Sequence, residues 1–329
     1  MVRGAPATPP AAPPPRRPAA IAEVPTLRRS RRWLQLTLGA LLACSCAGQA
    51  QKKDSGQVGV VPVAAGIWML TGEGGNMALA VGDSGALLVD AGYARTAPRL
   101  AAAIRTLTPR PVRYVLDTHW HEDHAGGNAA LAATGAVIVA QDDVLARLST
   151  DQVVRGTSFP AVPAAARPTI TFRDTFAFHL GGNDAVAVRL GPAHTDGDVA
   201  VFWKKANVIH AGDVVVFYAY PFFDSESGGD IRGLVAAVDR ILALSDAGTR
   251  IIGGHGPLGS RADLIEYRDM LAGITNRVAG QLAAGKSLPE VIASRPSADY
   301  DARWAKPGTM PADTFVALIY RSLLPRPGT

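Results

Sequence analysis

The chain has 329 residues, 48% apolar and 19% charged, a composition that can bury a core and excludes a disordered, collagen-like or coiled-coil chain. Its formal charge of +5 does not point to nucleic acid, because seven of the 33 basic residues but only one of the 28 acidic ones, Glu23, lie in residues 1–50. Residues 51–329 are left with 26 basic against 27 acidic side chains, without the net positive charge that phosphate binding needs.

Residues 1–30 are rich in Pro, Ala and Arg and cannot pack a core. The run Arg28-Arg29-Ser30-Arg31-Arg32 then precedes an apolar stretch from Trp33 to Ala43. That stretch is too short to span a bilayer, which takes about 20 residues. A basic segment, a short apolar segment and small residues beyond it read as an export signal, which places the protein in a bacterial periplasm. Ser30-Arg31-Arg32-Trp33-Leu34 is a partial twin-arginine pattern. Leu41-Leu42-Ala43-Cys44 resembles a bacterial lipobox, which would acylate Cys44 and tether the chain to a membrane. Ordinary cleavage near Ala50 is the alternative, and it would remove both cysteines, Cys44 and Cys46. Either way nothing after Cys46 can form a disulfide, act as a thiol nucleophile or give a metal a sulfur ligand. A metal site has to be built from His, Asp and Glu.

Beyond residue 58, apolar runs alternate with helical patterns. Met77–Val81 and Ala86–Asp90 read as strands joined by the turn Gly82-Asp83-Ser84-Gly85. Pro98 opens a helix with Leu100, Ile104 and Leu107 on one face. Val112–Leu116 and Val137–Ala140 read as buried strands, and the Pro- and Ala-rich residues 150–168 as a surface loop. Ala185–Leu190, Val199–Trp203 and Asn207–Ala211 are three further strands. Ile231, Leu234, Val235, Val238, Ile241 and Leu242 mark an amphipathic helix, followed by a strand at Arg250–Ile252. Leu264, Leu271, Ile274, Val278 and Leu282 mark a longer helix, and Pro311–Leu323 another. No linker divides this alternation, so the expected organisation is a leader over 1–50 and one α/β domain over 51–329 ending in helices.

The strongest chemical signal is Thr118-His119-Trp120-His121-Glu122-Asp123-His124, directly after the strand ending at Leu116. Three of the chain's seven histidines and an aspartate fall within six residues of a loop at a strand's carboxyl end. There they can converge on a small volume, and imidazole with carboxylate suits zinc or another first-row ion. His194 in Gly191-Pro192-Ala193-His194, Asp213 in Gly212-Asp213 and His255 in Gly253-Gly254-His255 also follow strands. Each sits near glycine, which lets backbone approach closely. Together these are seven ligands, enough for two ions.

These residues resemble the metallo-β-lactamase fold superfamily. The motif His119-x-His121-x-Asp123-His124, followed by His194, Asp213 and His255, covers that family's ligand set, and Leu88-Val89-Asp90-Ala91-Gly92 resembles its upstream acidic motif. The resemblance spans about residues 65–260. It implies an αββα sandwich with two metals, zinc in the first instance and iron or manganese as alternatives, at the edge between two sheets. One ion would be held by His119, His121 and His194, the other by Asp123, His124 and His255, with Asp213 bridging. Asp213 stands where the best-known zinc β-lactamases carry Cys or Ser, so the set is closer to the glyoxalase II type.

Two ions about 3.5–4 Å apart lower the pKa of a shared water towards 7, so no side-chain nucleophile is required. Asp123 is the expected proton-handling residue, a role the resemblance implies. Asp90 is expected to orient a ligand histidine, and His210 either to do the same or to sit satisfied in the core. His179, in Phe176-Ala177-Phe178-His179-Leu180, reads as a half-exposed strand position. The aromatic run carrying Tyr220, Phe222 and Phe223 is expected either to wall the substrate pocket or to pack on the core. The resulting expectation is an exported hydrolase of a small ester, lactone, thioester or amide, β-lactams among them. The alternative is an iron-dependent oxidoreductase of the sulfur-dioxygenase type. The partner is a small molecule, nucleic acid is excluded, a membrane is met only through Cys44, and the sequence fixes no oligomeric state.

Overall fold

The computed structural model describes residues 57–325; the expected export signal and the Cys44 anchor lie outside the described residues. The amino-terminal half folds into a seven-stranded sheet. It begins with an antiparallel meander of β1 (Gly59–Ala64), β2 (Ile67–Thr71), β3 (Met77–Gly82) and β4 (Gly85–Val89). After α1 (Ala97–Leu107) come β5 (Val112–Leu116), the short helices α2 (Glu122–Ala125) and α3 (Asn128–Ala132), and β6 (Val137–Gln141). Next are α4 (Asp142–Leu148), a separate hairpin of β7 (Gln152–Val154) with β8 (Thr157–Phe159), and the sheet's last strand β9 (Ile170–Phe172). The strand order is β1-β2-β3-β4-β5-β6-β9, parallel from β4 onward.

The second sheet carries β10 (Thr175–Phe178), β11 (Ala185–Arg189), β12 (Val199–Trp203), β13 (Val208–His210), β14 (Arg250–Ile252) and β15 (Gly259–Ser260) in that order. α5 (Ile231–Ala243) joins the parallel pair β13 and β14. α6 (Arg261–Ala283), α7 (Leu288–Ala293), α8 (Ala298–Trp304) and α9 (Ala312–Leu323) follow.

Side chains alternate faces along each strand, and here both faces are covered. Ala78, Ala80, Leu87 and Val89 face the other sheet, where they meet Ala187, Val199, Val201 and Ile252. Met77, Leu79 and Leu88 face outward against Leu100 and Ile104 of α1. The outer face of the second sheet packs Ile209 and Ile251 on α5, α6 and α9 through Leu234, Ile241, Leu271, Ile274 and Ile319. Helix, sheet, sheet and helix therefore stack as four layers, the αββα sandwich expected from the resemblance. Truncating an enclosed side chain such as Leu88 to Ala costs about 2–5 kcal/mol. The helix ends are locally written. Pro98 stands in the first turn of α1, Asp230 caps α5 by accepting from the amides of Arg232 and Gly233, and Ser260 with Asp263 forms a capping box on α6.

Two local expectations are corrected. Residues 150–168 are not a plain loop, because Arg155 (φ 52°) and Gly156 (φ 78°) make a two-residue turn that closes the β7–β8 hairpin. An arginine at the first turn position hides that signal. His179 is not in a strand: β10 ends at Phe178, and the exposed His179 places Nδ1 3.2 Å from Asp184. Among the described residues, no helix is long and apolar enough to cross a membrane.

Candidate metal centre

Four loops at the carboxyl ends of β5, β11, β13 and β14 bring the seven side chains to one edge of the sandwich. His121 is the last extended residue before the single turn of α2 (φ −60°, ψ 148°). The chain therefore changes direction between His119-x-His121 and Asp123-His124, and the motif divides. Ligating atoms of His119, His121 and His194 form one group, those of Asp123, His124 and His255 a second, and those of His119, His124 and Asp213 straddle the two, all within 4.8 Å inside each group. The loops are stitched by backbone bonds. Gly254 N donates to Gly212 O at 2.7 Å, Phe217 N to His255 O at 3.1 Å, and Asn76 N to Gly254 O at 2.6 Å. Gly254 is obligatory, because a Cβ there would lie 1.9 Å from Asp213 Oδ1.

Four histidines have one ring nitrogen tied to the protein. His119 Nδ1 lies 3.1 Å from Thr118 Oγ1, His121 Nε2 lies 3.2 Å from Asp224 Oδ2, His124 Nδ1 lies 2.8 Å from Asp90 Oδ2, and His194 Nδ1 lies 2.9 Å from the Phe222 carbonyl. That fixes each ring and turns its other nitrogen inward. Inward, the partners run out. His119 Nε2, His124 Nε2 and Asp213 Oδ1 are buried with no hydrogen bond among the described residues, although His124 Nε2 and Asp213 Oδ1 are 3.1 Å apart. His194 Nε2 and His121 Nδ1 meet at 2.9 Å, while the opposite nitrogens of the two rings face the Phe222 carbonyl and Asp224. Unpaired buried polar atoms cost about 1–3 kcal/mol each. A set of convergent nitrogens and carboxylate oxygens without sulfur fits divalent first-row ions, so the residues present suit the metals that the fold implies.

The electrostatics of the metal-free protein differ across the cluster. Burial drives His119 well below its ordinary range and His194 down to about 4, so both stay neutral. On the other side Asp213 raises His255 to about 10. Burial opposes a charge on His124, but Asp213, Asp90 and Asp123 together hold it well above the usual histidine value. Burial likewise opposes the charge of Asp213, which His255 and His124 nevertheless hold well below the carboxylate range. Asp123 is 21% exposed, the most open carboxylate of the cluster, with Oδ2 3.2 Å from His255 Nε2.

The structure also places the remaining expected residues. Asp90, at a left-handed φ of 64° that Asp tolerates better than most residues, accepts from Thr118 N and Oγ1 as well as facing His124. His210 is bonded to backbone: its Nε2 lies 3.1 Å from the Asn76 carbonyl, and its Nδ1 accepts from Gly212 N. Asn76 in turn donates to the carbonyls of Gly253 and Gly256, which flank His255. Phe222 stacks on His121 with ring centroids 6.3 Å apart. Tyr220 and Phe223 do not reach the cluster. Both are buried in the helical core, where Tyr220 stacks on Phe315 and its hydroxyl donates to Asp301, so their expected place in the pocket is corrected.

Three residues carry the site without having been singled out. Asp224 holds His121 from 103 positions away, a distance at which sequence offers no signal. Asn76 is likewise remote. Asp198 accepts from the amides of His194 and Thr195, and burial pushes it up to about 7; its position in His194-Thr195-Asp196-Gly197-Asp198, as a turn aspartate beside a ligand, was the available signal.

Comparisons with known proteins follow the same lines. The chain is 31% identical over 178 residues to a hydroxyacylglutathione hydrolase of Anaeromyxobacter dehalogenans, covering 54% of this chain and 59% of the relative. It is 27% identical over 158 residues to the 2,4-dinitroanisole O-demethylase subunit alpha of a Nocardioides species, covering 47% and 45%. The chain thus spans less than two thirds of these relatives' lengths. Among solved structures it resembles a metallo-beta-lactamase from Pontibacter korlensis (TM-score 0.57, 21% identity, 66% of this chain and 99% of that one). A sec-alkylsulfatase from Pseudomonas is also similar in fold (TM-score 0.60, 17% identity, 81% and 50%). The sequence profile of the metallo-beta-lactamase superfamily matches residues 70–255, the span that holds every residue of the histidine and aspartate cluster, and the chain belongs to that superfamily.

Proposed function

We propose that the protein is an exported dinuclear zinc hydrolase acting on a small ester, lactone, thioester or amide. The observation that carries this reading is the pair of ligand groups meeting at Asp213, with buried ring nitrogens and a carboxylate oxygen that no group among the described residues satisfies. Its likeness to a hydroxyacylglutathione hydrolase supports an ester- or thioester-directed activity. When bound, two such ions supply Lewis acidity towards a carbonyl and make water acidic enough to ionise near neutral pH.

The chain's own residues do the rest. Thr118, Asp90, Asp224 and the Phe222 carbonyl lock the ring orientations before any ligand arrives. Asp123, the most open carboxylate, is placed to hold and pass a proton at Oδ2. The ring of Phe222 stacks on that of His121. Export rests on the leader, with its basic run and short apolar segment.

The test is metal analysis of the purified protein together with assays on lactone, thioester and β-lactam panels. About two zinc per chain with hydrolysis is expected; iron with oxygen uptake would replace the reading with the oxidoreductase one. Intact mass from the native host tests export, and a diacylglycerol mass on Cys44 would establish the anchor.

A further inference from the structure

Beside the metal cluster lies a cavity of about 500 Å³, within the size range of small-molecule sites. Its walls are mainly apolar: Trp120, Ala125, Ala129, Leu148, Phe159 and Val162. Behind them Trp120, Ala125 and Leu148 pack with Ala140, Val144 and Val154 as a small separate core, which holds the walls in place. The cationic wall residue, Arg147, is committed, with Nε 3.1 Å from Asp196 Oδ2 and Nη1 donating to Gln152 at 3.1 Å. It therefore offers no free charge to an anion. The acidic wall residue, Glu122, is exposed.

A second, smaller space of about 170 Å³ touches the cluster itself, bounded by Tyr93, His121, Asp123 and Val154. The two spaces share Trp120, Glu122 and Phe159 as walls. Trp120 stands in sequence between His119 and His121, and its ring centroid is 4.7 Å from that of His121. Phe159 reaches over from the β7–β8 hairpin to meet Trp120 at 6.0 Å.

We propose that the two spaces form one substrate site, in which the reacting carbonyl lies by His121 and Asp123 and an uncharged alkyl or aryl chain of the substrate fills the larger cavity. The inference rests on the hydrolase reading and narrows it to substrates with an apolar tail. Burying methylenes one by one strengthens binding by about 0.8 kcal/mol each, which is roughly fourfold per methylene.

The zinc-loaded full chain is assayed with 4-nitrophenyl alkanoates from acetate to decanoate. kcat/KM is expected to climb by up to about fourfold per methylene and then level off as the cavity fills. Ala129→Phe, at an exposed helix position on the cavity wall, is expected to lower the decanoate-to-acetate ratio of kcat/KM by more than about tenfold. Ala129→Leu serves if circular dichroism shows that the larger residue prevents folding. A flat series, or a ratio that neither substitution moves, overturns the proposal while leaving hydrolysis standing. If no ester of any length is cleaved, the hydrolase reading fails, and the cavity is judged separately. Titration of the same protein with sodium butanoate through decanoate, followed by tryptophan fluorescence, must then show affinity rising with chain length and lost on filling at Ala129. Affinity independent of chain length overturns the proposal there too.

Discussion

The two halves of the proposed ligand cluster differ in their electrostatics. His119 and His194 are enclosed by protein and kept neutral by burial, already in the state that binds a metal. His124 and His255 instead lean on Asp213, Asp123 and Asp90, and are held protonated by those carboxylates. The first half is shaped by desolvation, the second by ion pairs that a metal has to replace. The two halves are thus asymmetric in what each must give up.

The largest expected effect comes from breaking the first half. His121→Ala removes one of its three nitrogens, and metal content is expected to fall to about one ion per chain with hydrolysis down by several orders of magnitude. Elemental analysis beside a turnover assay checks this, and two retained ions at near-full activity would refute the assignment. Asp213→Ala is expected to weaken the second half more than the first, since it removes the carboxylate lying 3.1 Å from His124 Nε2 and 3.4 Å from His255 Nε2, whereas His119, His121 and His194 remain a complete set of three nitrogens. Activity should fall steeply even at saturating zinc. His210→Ala, which loses only contacts to Asn76 and Gly212, is the comparison and should mainly lower the melting temperature.

The partners behind the ligands separate the halves more finely. Asp224→Asn is expected to weaken the first ion and Asp90→Asn the second, each by about 10–100-fold in affinity, read by competition with a chromophoric chelator. Asn keeps the left-handed backbone accessible at position 90. Equal effects of both substitutions on both ions would erase the distinction drawn between the halves.

The smallest effect concerns protons. His255, raised to about 10, carries a proton at pH 7 that a metal must displace, whereas His194, lowered to about 4, carries none. Filling the second half should therefore release at least one proton, and its affinity should fall about tenfold per pH unit per proton displaced as pH drops below about 10. The contribution of His194 to the first half stays flat down to about pH 4. Calorimetry at pH 7 in buffers of different ionisation enthalpy counts the protons. Equal release from both halves would contradict the electrostatic contrast.

The legibility of the molecule follows the range of the forces involved. The strands at Met77–Gly82, Val112–Leu116 and Val199–Trp203, and the helices opened by Pro98 and capped by Asp230, are written in local periodicity and end signals. The strand Ile170–Phe172 and the hairpin closed by Arg155-Gly156 carry too little pattern to show. The aromatic run at 218–223 divides for a reason of the same kind. Phe222 faces His121, whereas Tyr220 and Phe223 face the helices, and only the path of the chain says which.

By itself, the sequence determined the chemistry of the candidate ligands: histidines and aspartates after strand ends, no cysteine after Cys46, and a spacing that places three histidines within six residues. These properties are local, fixed by residue type and by distances of a few residues. The tertiary structure alone decided which nitrogen of each ring faces inward, that Asp224 and Asn76 support the cluster from far along the chain, and that the 150–166 segment walls an apolar cavity beside it. Those outcomes depend on contacts between segments scores of residues apart, whose partners are chosen by packing and by the cost of leaving buried polar groups unpaired.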